Sequence, residues 1–404
     1  MKEINVRDFG AAGDNRSDDL PAMQKALDSG EKFVYIPAGR YMLRGTLTLR
    51  SGTRLLLHPE AYMKFGDGCG KKADSFLLSN ESGAENITVE GGVWDGNAAN
   101  NPRVADGGEP YLGVLIAFGD MKNLTLRNMT VRNAESFHIR LNYVKDFVVE
   151  DICFDDNEIC ANQDGIHVAG GCENGVIRNI RAVGPSSPND DMISLVSGFS
   201  REAMAPCDPA WGQKDGNIRN IRIYGLYAEN TFSFLRLLAE TYSIEDVTVS
   251  GVTGGCYYLG AQMQISPYLR NRGDFTVSHL GTGNIKNVRL SDWNIWYKYR
   301  YVSNRMSDDD YTYQVNALFD IEQGIEGLVL EHFYRDISKD KMPELPTLSL
   351  MNQRPNSIEL KPSAGSAVKM GGRDAAVCGI ICETMEPGDA MKVYGSIEYL
   401  SVNI

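Results

Sequence analysis

Eight times along this 404-residue chain a polar residue, usually Asn or Asp, is followed by alternating apolar side chains and then a small break. The copies open at Asn86, Asn123, Asp146, Asn174, Asn220, Asp246, Asn287 and Glu326, at intervals of 23 to 46 residues. The shortest intervals suit one coil of a β-solenoid, and the longer ones are coils carrying insertions. Alternation sends every second side chain into a narrow core. Stacking coils pairs each strand with its copy on the next coil, which satisfies the backbone without a second sheet. Propeller blades would repeat at longer and more even intervals. The chain has 41 glycines, 15 prolines and no Ser- or Pro-rich linker, so one continuous all-β architecture is expected.

A solenoid needs a capped end. After Val6-Arg-Asp-Phe-Gly-Ala-Ala-Gly-Asp, helical spacing from Leu20 to Leu27 predicts a capping helix, with Asp18 or Asp19 as N-cap and Gly30 as stop. Phe33-Val-Tyr-Ile then returns to strand. This opening resembles the start of pectin-lyase-like proteins, which include pectic hydrolases and phage tailspikes. The resemblance implies a single-stranded right-handed parallel β-helix. Residues 1–340 are assigned to the capped helix, and residues 341–404, where the phrase fades, to a strand-rich closing segment.

A net charge of -13 and a pI near 5.0 argue against a nucleic-acid partner, which would need clustered Lys and Arg. No apolar run approaches a membrane span, and Met-Lys-Glu-Ile-Asn-Val has no signal core, so a cytoplasmic protein without a membrane partner is expected. The eight cysteines lack paired Cys-x-x-Cys spacing. Reduced thiols, no metal and no cofactor are therefore expected.

Two acidic phrases on neighbouring coils stand out, Asn162-Gln-Asp-Gly-Ile-His-Val and Asn189-Asp-Asp-Met-Ile-Ser-Leu. With Ile166, Val168, Ile193 and Leu195 facing inward, Asp164 and Asp191 take equivalent places about 4.8 Å apart, with Asp190 beside them. Repulsion among three such acids raises at least one pKa, which keeps a proton donor available near neutrality. Glycoside hydrolysis needs such a donor together with a carboxylate. The competing possibility is that these aspartates are turn residues or calcium ligands.

These phrases, with Gly91-Gly-Val-Trp-Asp-Gly-Asn and Phe137-His-Ile-Arg-Leu upstream, resemble glycoside hydrolase family 28, the polygalacturonases and their relatives, over roughly residues 1–240. The resemblance implies an inverting hydrolase in which Asp190 is the general acid and Asp164 and Asp191 activate water. By the general rule, carboxylates near 5 Å would instead suit a retaining displacement. Gln163 stands where the family has Thr. The family's Gly-His-Gly and Arg-Ile-Lys motifs are missing, and Ser233-Phe-Leu-Arg occupies the first position, which leaves the sugar unspecified.

The same alternation predicts an outward column of Arg140, His167, Ser194 and Arg236. Arg140 and Arg236 either bind a uronate carboxylate or pair with Asp164 and Asp191. Asn162, His138 and His167 are expected with them around an oligosaccharide or polysaccharide. Trp94, Trp211 and Tyr242 are candidate sugar platforms, and the insertion from Phe199 to Gly216 is a candidate wall that would suit removal of terminal sugars. The alternatives to a hydrolase are a polysaccharide lyase on the same fold and a non-catalytic carbohydrate-binding β-helix of tailspike type.

Overall fold

The computed structural model describes residues 3–103, 111–197, 216–239, 242–263, 285–300, 318–321, 325–336 and 338–342, followed by short strands between 348 and 402. The strands pair parallel, coil on coil, in three columns. The parallel β-helix expected from the repeated phrase is the fold found. Among the described residues no helix is long and apolar enough to cross a membrane.

The polar residue that opens each phrase is the bend. Asn86, Asn123, Asp146, Asn174, Asn220, Asp246 and Asn287 all have φ between 53° and 59°, the left-handed region that Asn and Asp tolerate best among residues with a side chain. Their side chains form a ladder between coils: Asn123 Nδ2 donates to Asn86 Oδ1 (2.6 Å), Asn174 to Asp146 (2.9 Å), Asn220 to Asn174 (2.9 Å) and Asn287 to Asp246 (3.0 Å). In the eighth phrase the register pairs Lys286 with Glu326, so the bend falls to Gly327 (φ 76°) rather than to the Glu326 that opens the phrase. A second row of left-handed residues, Asn128, Asp151, Asn179, Gly225, Gly251, Asp292 and His332, makes the next corner.

Inward residues stack in continuous files. Leu126, Val149, Ile177, Ile223, Val249, Leu290 and Leu330 pair in register and are all buried. Burying each such side chain contributes about 1.5–3 kcal/mol. The neighbouring file contains Gly175, which looks like a gap in the apolar pattern. Phe147 of the previous coil fills it: a Cβ at Gly175 would stand 2.1 Å from Phe147 Cζ.

The capping helix spans Leu20–Leu27 and buries Met23, Ala26 and Leu27 against Val6 and Ala11. Asp18 Oδ1 accepts from Leu20 N (3.1 Å), whereas Asp19 turns to the preceding loop and accepts from Ala12 N (2.6 Å) and Gly13 N (3.2 Å). The helix ends at Asp28, two residues before Gly30, which takes φ 91° in the following turn. Beyond 341, strands Leu348–Leu350, Ile380–Cys382 and Leu400–Val402 stack parallel on Phe319–Ile321.

The Phe147–Gly175 fit predicts that Gly175→Val lowers stability by about 1–3 kcal/mol through overpacking. Adding Phe147→Ala should recover part of that loss. Thermal melts of the two variants check both effects, and no recovery would mean that the two sites do not share this space.

Candidate active site

The acids lie at the corner that leads into one sheet column. In that column Ile139, Ile166, Ile193 and Leu235 face the core in register. Their neighbours Arg140, His167, Ser194 and Arg236 therefore share the other face, as the alternation predicts. The column continues upward through Gln262 and Asp320. Asp164 and Asp191 each stand two residues before an inward Ile, and Gly165 N donates to Asp191 O (2.9 Å), which joins their coils. One side-chain oxygen from each of Asp164, Asp190 and Asp191 lies within 4.8 Å of the others.

All three acids are buried, at 3%, 5% and 0% exposure respectively, so their charge states are governed by their neighbours. Asp191 is the most heavily held. Its Oδ1 accepts from Ser233 Oγ and from Gln262 Nε2 (2.5 Å), and its Oδ2 accepts from Arg236 NH1 (3.3 Å). Burial raises its pKa, while Arg236, Ser233 and Gln262 oppose that rise. Asp190 has fewer supports: Asn162 Nδ2 donates to its Oδ2 (3.2 Å). Burial first, and then the Asp191 charge, push Asp190 up to about 7. Asp164 is raised well above the usual carboxylate range by burial and by the charges of Asp190 and Asp191.

His167 shares a 2.6 Å hydrogen bond between its Nδ1 and Asp164 Oδ2, and its ring stacks on Phe137 at 4.1 Å. Burial, with Arg140 and Arg236 nearby, holds the imidazole well below its ordinary pKa, so the ring is neutral near pH 7. Of the two roles expected for Arg236, the ion pair with Asp191 is present in the structure. The three clustered oxygens are close enough to ligate a hard cation. However, Asp190 and Asp191 already accept from four donating side chains, a set suited to proton and hydrogen-bond chemistry.

Several important side chains escape a reading of the sequence. Ser233 and Gln262 enter because they stand one coil above Asp191 and Arg236. Gln163, in the place of the family's Thr, is a buried brace: its Oε1 accepts from Cys160 N (2.9 Å) and its Nε2 donates to Ala134 O (2.6 Å). Asn189 ties the two acidic corners together, donating to Cys160 O (2.9 Å) and accepting from Ser186 Oγ (2.6 Å) and Tyr257 OH. Arg103 reaches the same corner from a distant loop, donating to Ala161 O (2.6 Å) and Asn162 Oδ1 (3.5 Å).

Other expected contacts are not at the acids. His138 is fully buried beneath them, with Nδ1 donating to Asp164 O (2.8 Å) and Nε2 meeting Asp156 Oδ1 (2.8 Å), so it supports the corner instead of facing substrate. Trp94 is in the core, its indole N–H donating to Gly91 O (3.1 Å). Tyr242 is exposed, but its carbonyl binds Ser197 Oγ at the far end of strand Asp191–Ser197, roughly 20 Å along the chain direction from the acids. Trp211 and the insertion from Phe199 lie outside the described residues, apart from Gly216.

The family model described as "Rhamnogalacturonase A/epimerase, pectate lyase-like" matches residues 3–182. The polygalacturonase of Prunus persica is 26% identical over 264 residues, covering 58% of this chain and 63% of that enzyme. Plasmin and fibronectin-binding protein A of Streptococcus pneumoniae is 28% identical over 170 residues, covering 37% of this chain and 24% of that protein. The chain thus spans less than two thirds of both relatives. Among solved structures, the family 28 exopolygalacturonase of Yersinia enterocolitica aligns over 100% of this chain and 77% of its own, with TM-score 0.54 and 16% identity, a likeness of fold. Phrase, fold and relatives agree that this chain is a pectin-lyase-like parallel β-helix protein related to the family 28 polygalacturonases.

Proposed function

We propose that the protein is a glycoside hydrolase acting on a pectin-derived or related oligosaccharide, with Asp190 as general acid and Asp164 and Asp191 as the water-activating carboxylates. The observation that carries this reading is the division of labour among three adjacent acids. Asp190 is pushed up to about 7, while in Asp191 the rise caused by burial is opposed by Arg236, Ser233 and Gln262, which hydrogen-bond its carboxylate form. Separated charge states in one cluster are what acid-assisted hydrolysis requires. Asp190 gives its proton to the glycosidic oxygen as the bond to the anomeric carbon breaks. Water attacks that carbon, and its proton passes to Asp191, with Asp164 beside it to position the water.

Inversion is the outcome this reading favours. A retaining mechanism needs a carboxylate oxygen to form a bond to the sugar, yet both Asp191 oxygens are engaged and one Asp164 oxygen is bound to His167. The clustering of oxygens within 4.8 Å is shorter than the roughly 6.5–9.5 Å usual for inverting pairs, which makes stereochemistry the informative measurement. Proton NMR of the first product formed should show the anomer opposite to the substrate. Retention would transfer the nucleophile's role to Asp164.

Asp190→Asn should lower turnover on the order of 10²-fold or more, because the amide cannot donate the proton. The circular dichroism spectrum should be unchanged, and full activity in this variant would remove Asp190 from the mechanism. A product that absorbs in the ultraviolet through a new double bond would identify a lyase instead.

The rate should fall as pH rises through about 7, where Asp190 loses its proton. Arg236 lowers the pKa of Asp164, Asp190 and Asp191. Arg236→Ala should therefore move both limbs of the pH profile to higher pH on acidic and neutral substrates alike. An unmoved profile, with loss confined to acidic sugars, would instead assign Arg236 to a substrate carboxylate.

A further inference from the structure

Three corner segments, residues 133–138, 156–165 and 184–190, lie on successive coils between the ends of one set of strands and the starts of the next. Asp164 and Asp190 stand near the ends of the second and third. One buried carboxylate, Asp156, touches both of the other segments. Its Oδ1 accepts from Asn133 N (2.5 Å) and meets His138 Nε2 (2.8 Å), both in the first segment, and its Oδ2 accepts from Ser187 Oγ (2.7 Å) in the third. Asn133 Oδ1 in turn accepts from Asn157 N and Glu158 N (both 3.1 Å), which fixes the backbone just past Asp156. His138 carries the hold on to Asp164, donating to its carbonyl from backbone N (2.9 Å) and from Nδ1 (2.8 Å).

The donors and acceptors can be counted. A carbonyl oxygen only accepts, so Nδ1 carries a hydrogen. One further proton lies between Nε2 and Asp156 Oδ1, bound to either atom, because two bare lone pairs would otherwise face each other at 2.8 Å. Both side chains are fully buried, and the Phe154 ring lies 4.9 Å from the imidazole, so neither end is exchanged for a bond to bulk water. A carboxylate presents acceptors on both oxygens to the three groups that converge on it, whereas an amide presents one accepting oxygen and two N–H donors. With an amide at 156, a neutral imidazole that donates Nε2–H to it leaves Nδ1 bare, and Asp164 O loses a donor. The segment has no slack to absorb that loss: a Cβ at Gly165 would stand 2.5 Å from Met192 O and 2.8 Å from Phe154 Cε2.

We propose that Asp156 is a positioning residue for the cleavage, setting the place of Asp164 through His138 and of Asp190 through Ser187 without touching substrate. The inference rests on the glycosidase reading and extends it to a carboxylate eight residues away from the nearer acid. A shift of about 1 Å in reacting groups costs on the order of 10²-fold in rate, so the control of two acids by one buried side chain is expressed in turnover and not in binding.

Asp156→Asn preserves shape and removes one acceptor. On a galacturonate tetrasaccharide it should lower kcat roughly 10- to 100-fold and leave KM within about twofold. Long-range proton–nitrogen NMR of the histidine rings in the whole chain, with His138 assigned by its absence in His138→Gln, should show hydrogen on Nδ1 in the unaltered protein and its loss from Nδ1 in Asp156→Asn. Ser187→Ala removes only the link toward Asp190 and should lower kcat roughly threefold to tenfold with the ring spectrum unchanged. Melting temperatures establish that the variants fold, and if Asp156→Asn does not, Ser187→Ala and the ring spectrum of the unaltered chain decide. An Nδ1 without hydrogen in the unaltered chain, an Nδ1 hydrogen that survives in Asp156→Asn, an unchanged kcat in either variant, or a loss carried by KM would each overturn the proposal. Turnover of the same tetrasaccharide and its loss in Asp190→Asn tests the glycosidase reading separately. If that reading fails, the ring spectra still decide whether Asp156 holds Asp164 through His138.

Discussion

In this molecule each coil is held at a fixed height above the last by parallel backbone pairing, and residues at corresponding places are forced into contact whatever their chemistry. A hydrophobic residue repeated at one place becomes a buried file, such as Leu126 to Leu330. An asparagine repeated at a bend becomes a ladder. An acid repeated at the start of a strand becomes a pair of carboxylates one coil apart, and the same spacing that stabilises the first two arrangements is costly for the third. The electrostatic character of the site follows from putting Asp164 and Asp191 at one place on successive coils and Asp190 next to them.

The chain meets that cost unevenly. Asp191 receives a guanidinium, a hydroxyl and an amide, all from the two coils above it. Asp190 receives one amide, and Asp164 the edge of a neutral histidine. Arg236 stands in the column that also carries His167, so it lowers the pKa of all three acids and of the imidazole at once. The three carboxyls are all raised by burial but opposed to different degrees by one shared guanidinium, so changing any member shifts the rest.

Alternation is legible in a sequence, and so is equivalence between neighbouring coils. That is why the column from Arg140 to Arg236 and the acidic cluster could be placed beforehand. Corners obey neither rule. His138 lies just before its strand begins, and its ring turns under the acids, a direction that no period-two pattern encodes. Gln262 pairs with Arg236 at the same 26-residue offset that separates Asn220 from Asp246, but register shifts between Ala228 and Ser233 interrupt the alternation that leads to it. Arg103 arrives from a loop two coils earlier, with no neighbouring motif to mark it. Trp94 lay in a family phrase and looked available, but the left-handed glycines at 91 and 92 swing that corner so that the indole packs inward.

The asparagine bends also govern how such a protein can change. A slip of one residue between coils would turn every core side chain to solvent, so intermediate misalignments of the acids are not populated states of the fold. Each left-handed bend resets the count, so the 46 residues between Asn174 and Asn220, against 26 between Asn220 and Asp246, leave the heights of Ile177, Ile223 and Val249 in step. Variation in such a chain is consequently modular: walls and subsites can be lengthened, exchanged or removed coil by coil, while the spacing of the three carboxylates is inherited unchanged.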